Sequence, residues 1–170
     1  DQYSRYKACV DLLRSVGLSP GDSILDVGSG PECWLGHFLP DADISYVDPL
    51  ISPNSNLKAI RGDVFSGELD NRQYEYIVAI DVFEHIPTEL RSNFIERINS
   101  MAKKFIILAF PTSDTEVAAD VDQTIDQKYQ EIFKNKYPWL AEHDQYGLPS
   151  AKNTINMLES LGWHCKTIGH

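Results

Sequence analysis

Apolar residues in this chain recur first at helical spacing and then in short β-branched runs, and the alternation repeats along most of its length. Such alternation predicts a parallel sheet with helices on both faces, an α/β fold. Tyr6, Cys9, Val10 and Leu13 make one face of a first helix that Gly17 would stop. Ser23–Val27 reads as the first strand, Ile44–Val47 as the second and Lys58–Arg61 as the third. The unbroken apolar runs Tyr76–Ile80 and Phe105–Ala109 read as central strands, covered on both faces. Between them, Thr88 is the expected N-cap of a helix burying Leu90, Phe94, Ile95, Ile98 and Met101. A last helix carries Ile155, Leu158 and Leu161, ends at Gly162, and leads into Trp163–Ile168 as a sixth strand.

Residues 112–149 break this rhythm. The stretch is acidic around Asp114–Asp122, then helical through Ile125, Tyr129, Ile132 and Phe133, then Tyr137-Pro-Trp-Leu. Connections in such folds usually run about 2–6 residues, and much longer excursions carry function, so 112–149 is expected to be a lid or acceptor-binding insertion.

The 170 residues are 42% hydrophobic and 24% charged, the balance of one soluble globular domain spanning 1–170. The longest apolar run, Phe105–Phe110, is far short of the roughly 20 residues that cross a bilayer. Fifteen Lys and Arg against 25 Asp and Glu leave a net charge of −10, which repels phosphate backbones and anionic lipid, so neither nucleic acid nor membrane is an expected partner of this chain. Cys9, Cys33 and Cys165 are odd in number and without a C-x-x-C pair, which argues against a disulfide framework or structural zinc. With no basic-then-apolar leader at its first residues, the expected setting is reducing and cytoplasmic.

The chemistry concentrates at the strand ends. Gly28 and Gly30 occupy a strand-to-helix turn, where missing side chains let a ligand approach backbone N–H groups. Asp48 follows the second strand, where a carboxylate can accept both hydroxyls of a ribose. A nicotinamide-dependent oxidoreductase also wants such glycines and such an acid. Its third glycine would fall on Cys33, however, and Pro31 removes an N–H from the turn.

Ile24-Leu-Asp-Val-Gly-Ser-Gly-Pro31, Tyr46-Val-Asp48, Gly62-Asp63-Val-Phe65, Ile77–Asp81 and Glu84-His-Ile-Pro87 closely resemble, in order and spacing, the class I S-adenosylmethionine-dependent methyltransferases. The resemblance covers nearly the whole chain and implies a Rossmann-like, doubly wound, mostly parallel sheet in a three-layer sandwich, with S-adenosylmethionine as cofactor. By the same resemblance Asp26, Gly28 and Gly30 match the positions that cradle the methionine part, and Asp48 the acid that holds the ribose. Asp63 and Val64 match the pair beside the adenine, and Asp81, Val82 and Phe83 the segment along the sulfonium end. Glu32 departs from the pattern, standing where the family commonly has a third glycine.

Methyl transfer from a sulfonium mainly requires that acceptor and methyl be brought to about 3–3.5 Å and aligned. If the acceptor is a hydroxyl or amine a base helps, and His85 or His143 could serve. Tyr129, Phe133, Tyr137, Trp139 and Tyr146 crowd the long segment, as core or as a binding wall. Pro138-Trp-Leu-Ala-Glu-His143 and Tyr146-Gly-Leu-Pro149 are similar to a subgroup of methyltransferase domains in longer proteins of cell-surface polysaccharide synthesis, which implies a small-molecule or glycan-linked acceptor. A non-catalytic cofactor-binding interaction module is the other alternative. The family sheet has seven strands, and six are counted here, so the fold is expected to lack its last strand, the chain being either a fragment of a longer protein, which the polysaccharide-type resemblance favours, or a variant in which another element covers strand five.

Overall fold

The computed structural model describes residues 2–52 and 57–169. Five parallel strands form one sheet: β1 (Ser23–Val27), β2 (Asp43–Asp48), β3 (Lys58–Arg61), β4 (Tyr74–Ile80) and β5 (Ala102–Ala109), in the order β3-β2-β1-β4-β5. The order reverses beside β1, as in a doubly wound, Rossmann-like sheet. In such sheets ligands sit at the carboxyl ends of the strands flanking the reversal. The helices are α1 (Gln2–Ser15), α2 (Trp34–Phe38), α3 (Arg91–Met101), α4 (Glu116–Phe133), α5 (Pro138–Tyr146) and α6 (Ala151–Ser160).

The chain divides into two compact units. The first runs to Val82 and includes Glu96–Ala109, so it holds the whole sheet with α1 and α2. Its core follows from strand alternation. Ile24 of β1, Ile44 and Tyr46 of β2, and Tyr76, Val78 and Ile80 of β4 share one face, and Tyr6, Cys9, Val10 and Leu13 of α1 pack on it with Leu35 of α2. The opposite residues, Leu25, Val27, Val47, Ile77 and Ala79, are equally buried, which accounts for the continuous apolar runs. Burying one such aliphatic side chain contributes about 1.5–3 kcal/mol. Glu75 of β4 ties β1 in by accepting from the Ser23 amide at 3.0 Å and from its hydroxyl, and these donors hold its carboxyl down at about 2.

The second unit comprises Phe83–Ile95 and the chain from Phe110 onward. Phe83 packs its ring 5.6 Å from Phe94 and 5.3 Å from Phe110. Arg91 fastens the start of α3 to the end of α5, donating from Nε to the Ile86 carbonyl at 3.1 Å and from Nη2 to the carbonyls of Tyr146 and Gly147. The region 112–149 folds into α4 and α5, none of whose residues is buried.

Three expectations require correction. Trp163–Ile168 forms no strand. No described strand pairs with it, and Trp163 N–H instead caps α6 on the Leu158 carbonyl at 3.1 Å. β5 is therefore an edge strand, not a central one, and Phe105 is 37% exposed. Thr88 does not cap α3: it begins a single 3-10 turn, Thr88–Leu90, and its hydroxyl donates to the Tyr146 carbonyl. That turn rotates Leu90 outward, while Phe94, Ile95, Ile98 and Met101 are buried as the spacing predicts.

Candidate active site

In the first unit the carboxyl ends of β1, β2 and β4 bring acidic groups around the glycine turn. Asp26 shares the strand face of Ile24, is fully buried, and neither of its carboxylate oxygens has a hydrogen-bond partner among the described residues. Burial first, and then the charge of Asp48, raise its carboxyl well above the ordinary carboxylate range. Burial, reinforced by the charges of Asp26, Asp81 and Asp48, likewise pushes the Tyr6 hydroxyl up. Three acids thus converge on one place in this unit.

Asp48, the last residue of β2, braces the turn. Its Oδ2 accepts the Gly30 N–H at 2.9 Å and its Oδ1 the Leu50 N–H at 2.7 Å, while its carbonyl accepts Gly62 N–H at 3.2 Å. Gly28 adopts φ 69°, and a Cβ there would run into the Val82 side chain, so only glycine fits. Cys33, with φ 49°, sits in the left-handed region that favours glycine and heads α2. Asp81 caps β4 with its N–H on the Ala109 carbonyl at 2.8 Å and pairs its carboxylate with Arg5 of α1. After β3, Val64 is buried and Asp63 folds its own turn, taking the Phe65 N–H at 2.8 Å.

Phe83, the last of the expected cofactor residues, lies in the second unit, among Phe94 and Phe110. That unit also holds both candidate bases. Their rings lie 5.1 Å apart. His143 Nδ1 is 2.7 Å from Asp122 Oδ2, and His85 Nδ1 is 2.8 Å from Glu142 Oε2. Trp139 sets its ring 5.4 Å from His85, edge-on. Glu84, beside His85, is buried. Tyr129 packs with Phe133 and Tyr137, at 4.5 and 4.9 Å between ring centres. Asp122, Glu142 and Arg5 were not singled out by sequence reasoning. Nothing local marks them, because each meets its partner across 21, 57 and 76 positions.

An orphaned buried carboxylate, a glycine turn that admits no side chain, and an acid holding that turn open fit a ligand with a cationic end and a ribose. A family model described as a methyltransferase domain matches residues 2–167. The chain belongs to that family. This methyltransferase domain resembles in fold a solved protein that holds SAH or SAM. No curated protein sequence matches this chain.

Solved structures share its fold. Magnesium protoporphyrin IX methyltransferase from Synechocystis PCC 6803, with bound SAH, superposes with a TM-score of 0.68 at 18% identity, over 99% of this methyltransferase domain and 76% of that chain. A cyclopropane synthase from Mycobacterium tuberculosis gives 0.58 at 17% identity, over 93% and 60%. A sugar N-methyltransferase from Streptoalloteichus sp ATCC 53650 gives 0.54 at 16%, over 68% and 51%. This methyltransferase domain therefore spans between about half and three quarters of those proteins. Among the described residues, no helix is long and apolar enough to cross a membrane.

Proposed function

We propose that this chain transfers a methyl group from S-adenosylmethionine to a hydroxyl or amine of a small-molecule or glycan-linked acceptor. The buried Asp26 carboxylate carries the reading. A buried charge with no partner costs several kcal/mol, and a cationic ligand end would relieve that cost. The cofactor, when bound, supplies a methyl group already activated on a sulfonium.

Asp26 would hold the cationic methionine end, with Gly28 and Gly30 keeping side chains out of its way. Asp48 keeps the turn open through Gly30 and offers its remaining lone pairs to ribose hydroxyls. Val64 would supply an apolar wall for the adenine, with Asp63 ordering the turn beside it. Asp81, Val82 and Phe83 would line the sulfonium end, and Arg5 fixes the Asp81 side chain.

The proton lost by the acceptor would be handled at the His85–His143 cluster, whose rings lie against Glu142 and Asp122. The aromatics of residues 112–149 would form the acceptor wall or lid. The glycan class draws on the resemblance of Pro138–Pro149 to polysaccharide-type domains, and on the likeness in fold to a sugar N-methyltransferase. A reducing, cytoplasmic setting suits three unpaired cysteines, Cys9 and Cys33 of them buried. The nicotinamide and interaction-module alternatives gain nothing from the family match.

The test is transfer of a labelled methyl group from S-adenosylmethionine to a panel of sugars, glycan fragments and simple phenols. Turnover on a sugar or glycan, lost in Asp26→Ala, is expected. Labelling of none of these, by a chain that binds the cofactor, would overturn the acceptor class.

A further inference from the structure

We infer that Glu84, His85 and His143 form a binding site for a divalent metal ion of the zinc type. One ligand atom from each of the three lies within 4.8 Å of the other two. Zinc bonds of about 2.0–2.2 Å place neighbouring tetrahedral ligands about 3.4 Å apart, so the three atoms have at most about 1.4 Å to close. Two imidazoles with one carboxylate leave a coordination position open, the donor set of a hydrolytic or Lewis-acid zinc site and not of a structural one.

The surroundings are those a ligating histidine needs. A carboxylate only accepts, so Asp122 at 2.7 Å from His143 Nδ1 makes that nitrogen the donor and leaves the lone pair on Nε2. Glu142 Oε2 lies 2.8 Å from His85 Nδ1 and sets a second carboxylate charge beside that ring. Such outer carboxylates orient the rings and raise their basicity as ligands. The five groups come from three elements of one unit: the 3-10 turn Phe83–His85, α4 and α5.

Charge points the same way. Glu84, Asp122 and Glu142 bring three carboxylates to two imidazoles. Against these three carboxylates stands the positive charge of Arg91, which Glu84 feels, its guanidinium donating to the carbonyls of Ile86, Tyr146 and Gly147. The cluster therefore keeps an excess of negative charge that a dication would neutralise.

Binding of the ion does not depend on methyl transfer; only its use does, and that part rests on the proposed function. With the ion bound, the proton handling proposed for this cluster would pass to the metal: a hydroxyl at the open position would be acidified and would release its proton to water, the histidines serving as ligands in place of bases.

The test is calorimetric titration of the chelator-stripped chain with zinc chloride, repeated in competition with a chromophoric chelator, with S-adenosylhomocysteine binding measured in parallel. One equivalent of zinc is expected, with magnesium failing to compete. His85→Ala and His143→Ala should each weaken zinc binding at least tenfold and Asp122→Asn by about 10–100-fold, while S-adenosylhomocysteine affinity, which also reports folding, stays constant. Glu84 is buried, so the more accessible His143 decides the matter if Glu84→Gln does not fold. Absence of stoichiometric zinc binding overturns the site, as does binding that survives His143→Ala but disappears in His37→Ala or His164→Ala. Zinc bound as expected by a chain that ignores S-adenosylhomocysteine supports the metal site and counts only against the methyltransferase reading.

Discussion

Asp48 Oδ2 accepts the backbone N–H of Gly30 at 2.9 Å, so the end of β2 holds the glycine turn that follows β1. Its other oxygen holds Leu50 N–H. One carboxylate thus fixes two loops at the point where the sheet reverses its order.

Asp48→Ala removes both acceptors. Hydrogen bonds to a charged group are worth about 1.5–3 kcal/mol. We expect S-adenosylhomocysteine affinity to fall by that amount in calorimetry, with some loss of thermal stability because the Gly30 and Leu50 amides lose partners. Unchanged affinity would remove Asp48 from the cofactor site.

Asp26→Asn should separate stability from function. The folded-state carboxyl lies well above its unfolded value of about 3.9, so the folded protein retains a proton that the unfolded chain releases above that pH. The stability from this group is present in full below about pH 4 and is lost as pH rises toward the folded value. The ligand-free Asn variant should therefore melt higher than wild type at pH 7, lack this decline with pH, and bind the cofactor more weakly. A lower melting temperature at pH 7 would contradict the account of Asp26.

His143→Ala and Asp122→Asn should lower acceptor turnover by about 10²–10⁴-fold and by a smaller factor, respectively, with cofactor affinity little changed. Steady-state kinetics on an identified acceptor, beside calorimetry, make the comparison. Loss of cofactor affinity in equal measure would place the pair outside proton handling.

Trp139 is 48% exposed and lies against His85. Trp139→Ala or Tyr129→Ala should change acceptor KM or kcat more than cofactor affinity, with circular dichroism confirming that each variant is folded. The converse pattern would argue that these rings serve the fold alone.

Much of the fold was legible because its signals are local. Ser23–Val27 and Lys58–Arg61 coincide with β1 and β3, since each apolar run ends at a glycine or polar break. What failed depends on distant partners. Trp163–Ile168 has some strand-forming residues, yet a strand exists only where another pairs with it, and α6 captures Trp163 N–H instead. Leu90 fits the helical stripe but falls in a 3-10 turn. At the candidate site, Gly28, Gly30 and Asp48 announce themselves by residue type at a strand end. The carboxylates beside His85 and His143 do not, because Asp122 and Glu142 look like two more surface acids until α4 and α5 fold. Cys33 shows the limit of reading glycine patterns: its left-handed backbone does what a glycine would do, at a cost of about 1–2 kcal/mol that the sequence gives no sign of.

The most direct test of the central claim is calorimetric titration of this chain with S-adenosylhomocysteine, S-adenosylmethionine and NAD, each alone. The account predicts one site for either sulfur cofactor, weakened by Asp26→Ala and Asp48→Ala, and no comparable binding of NAD. Tighter binding of NAD, or binding of neither sulfur cofactor by the folded chain, would contradict it.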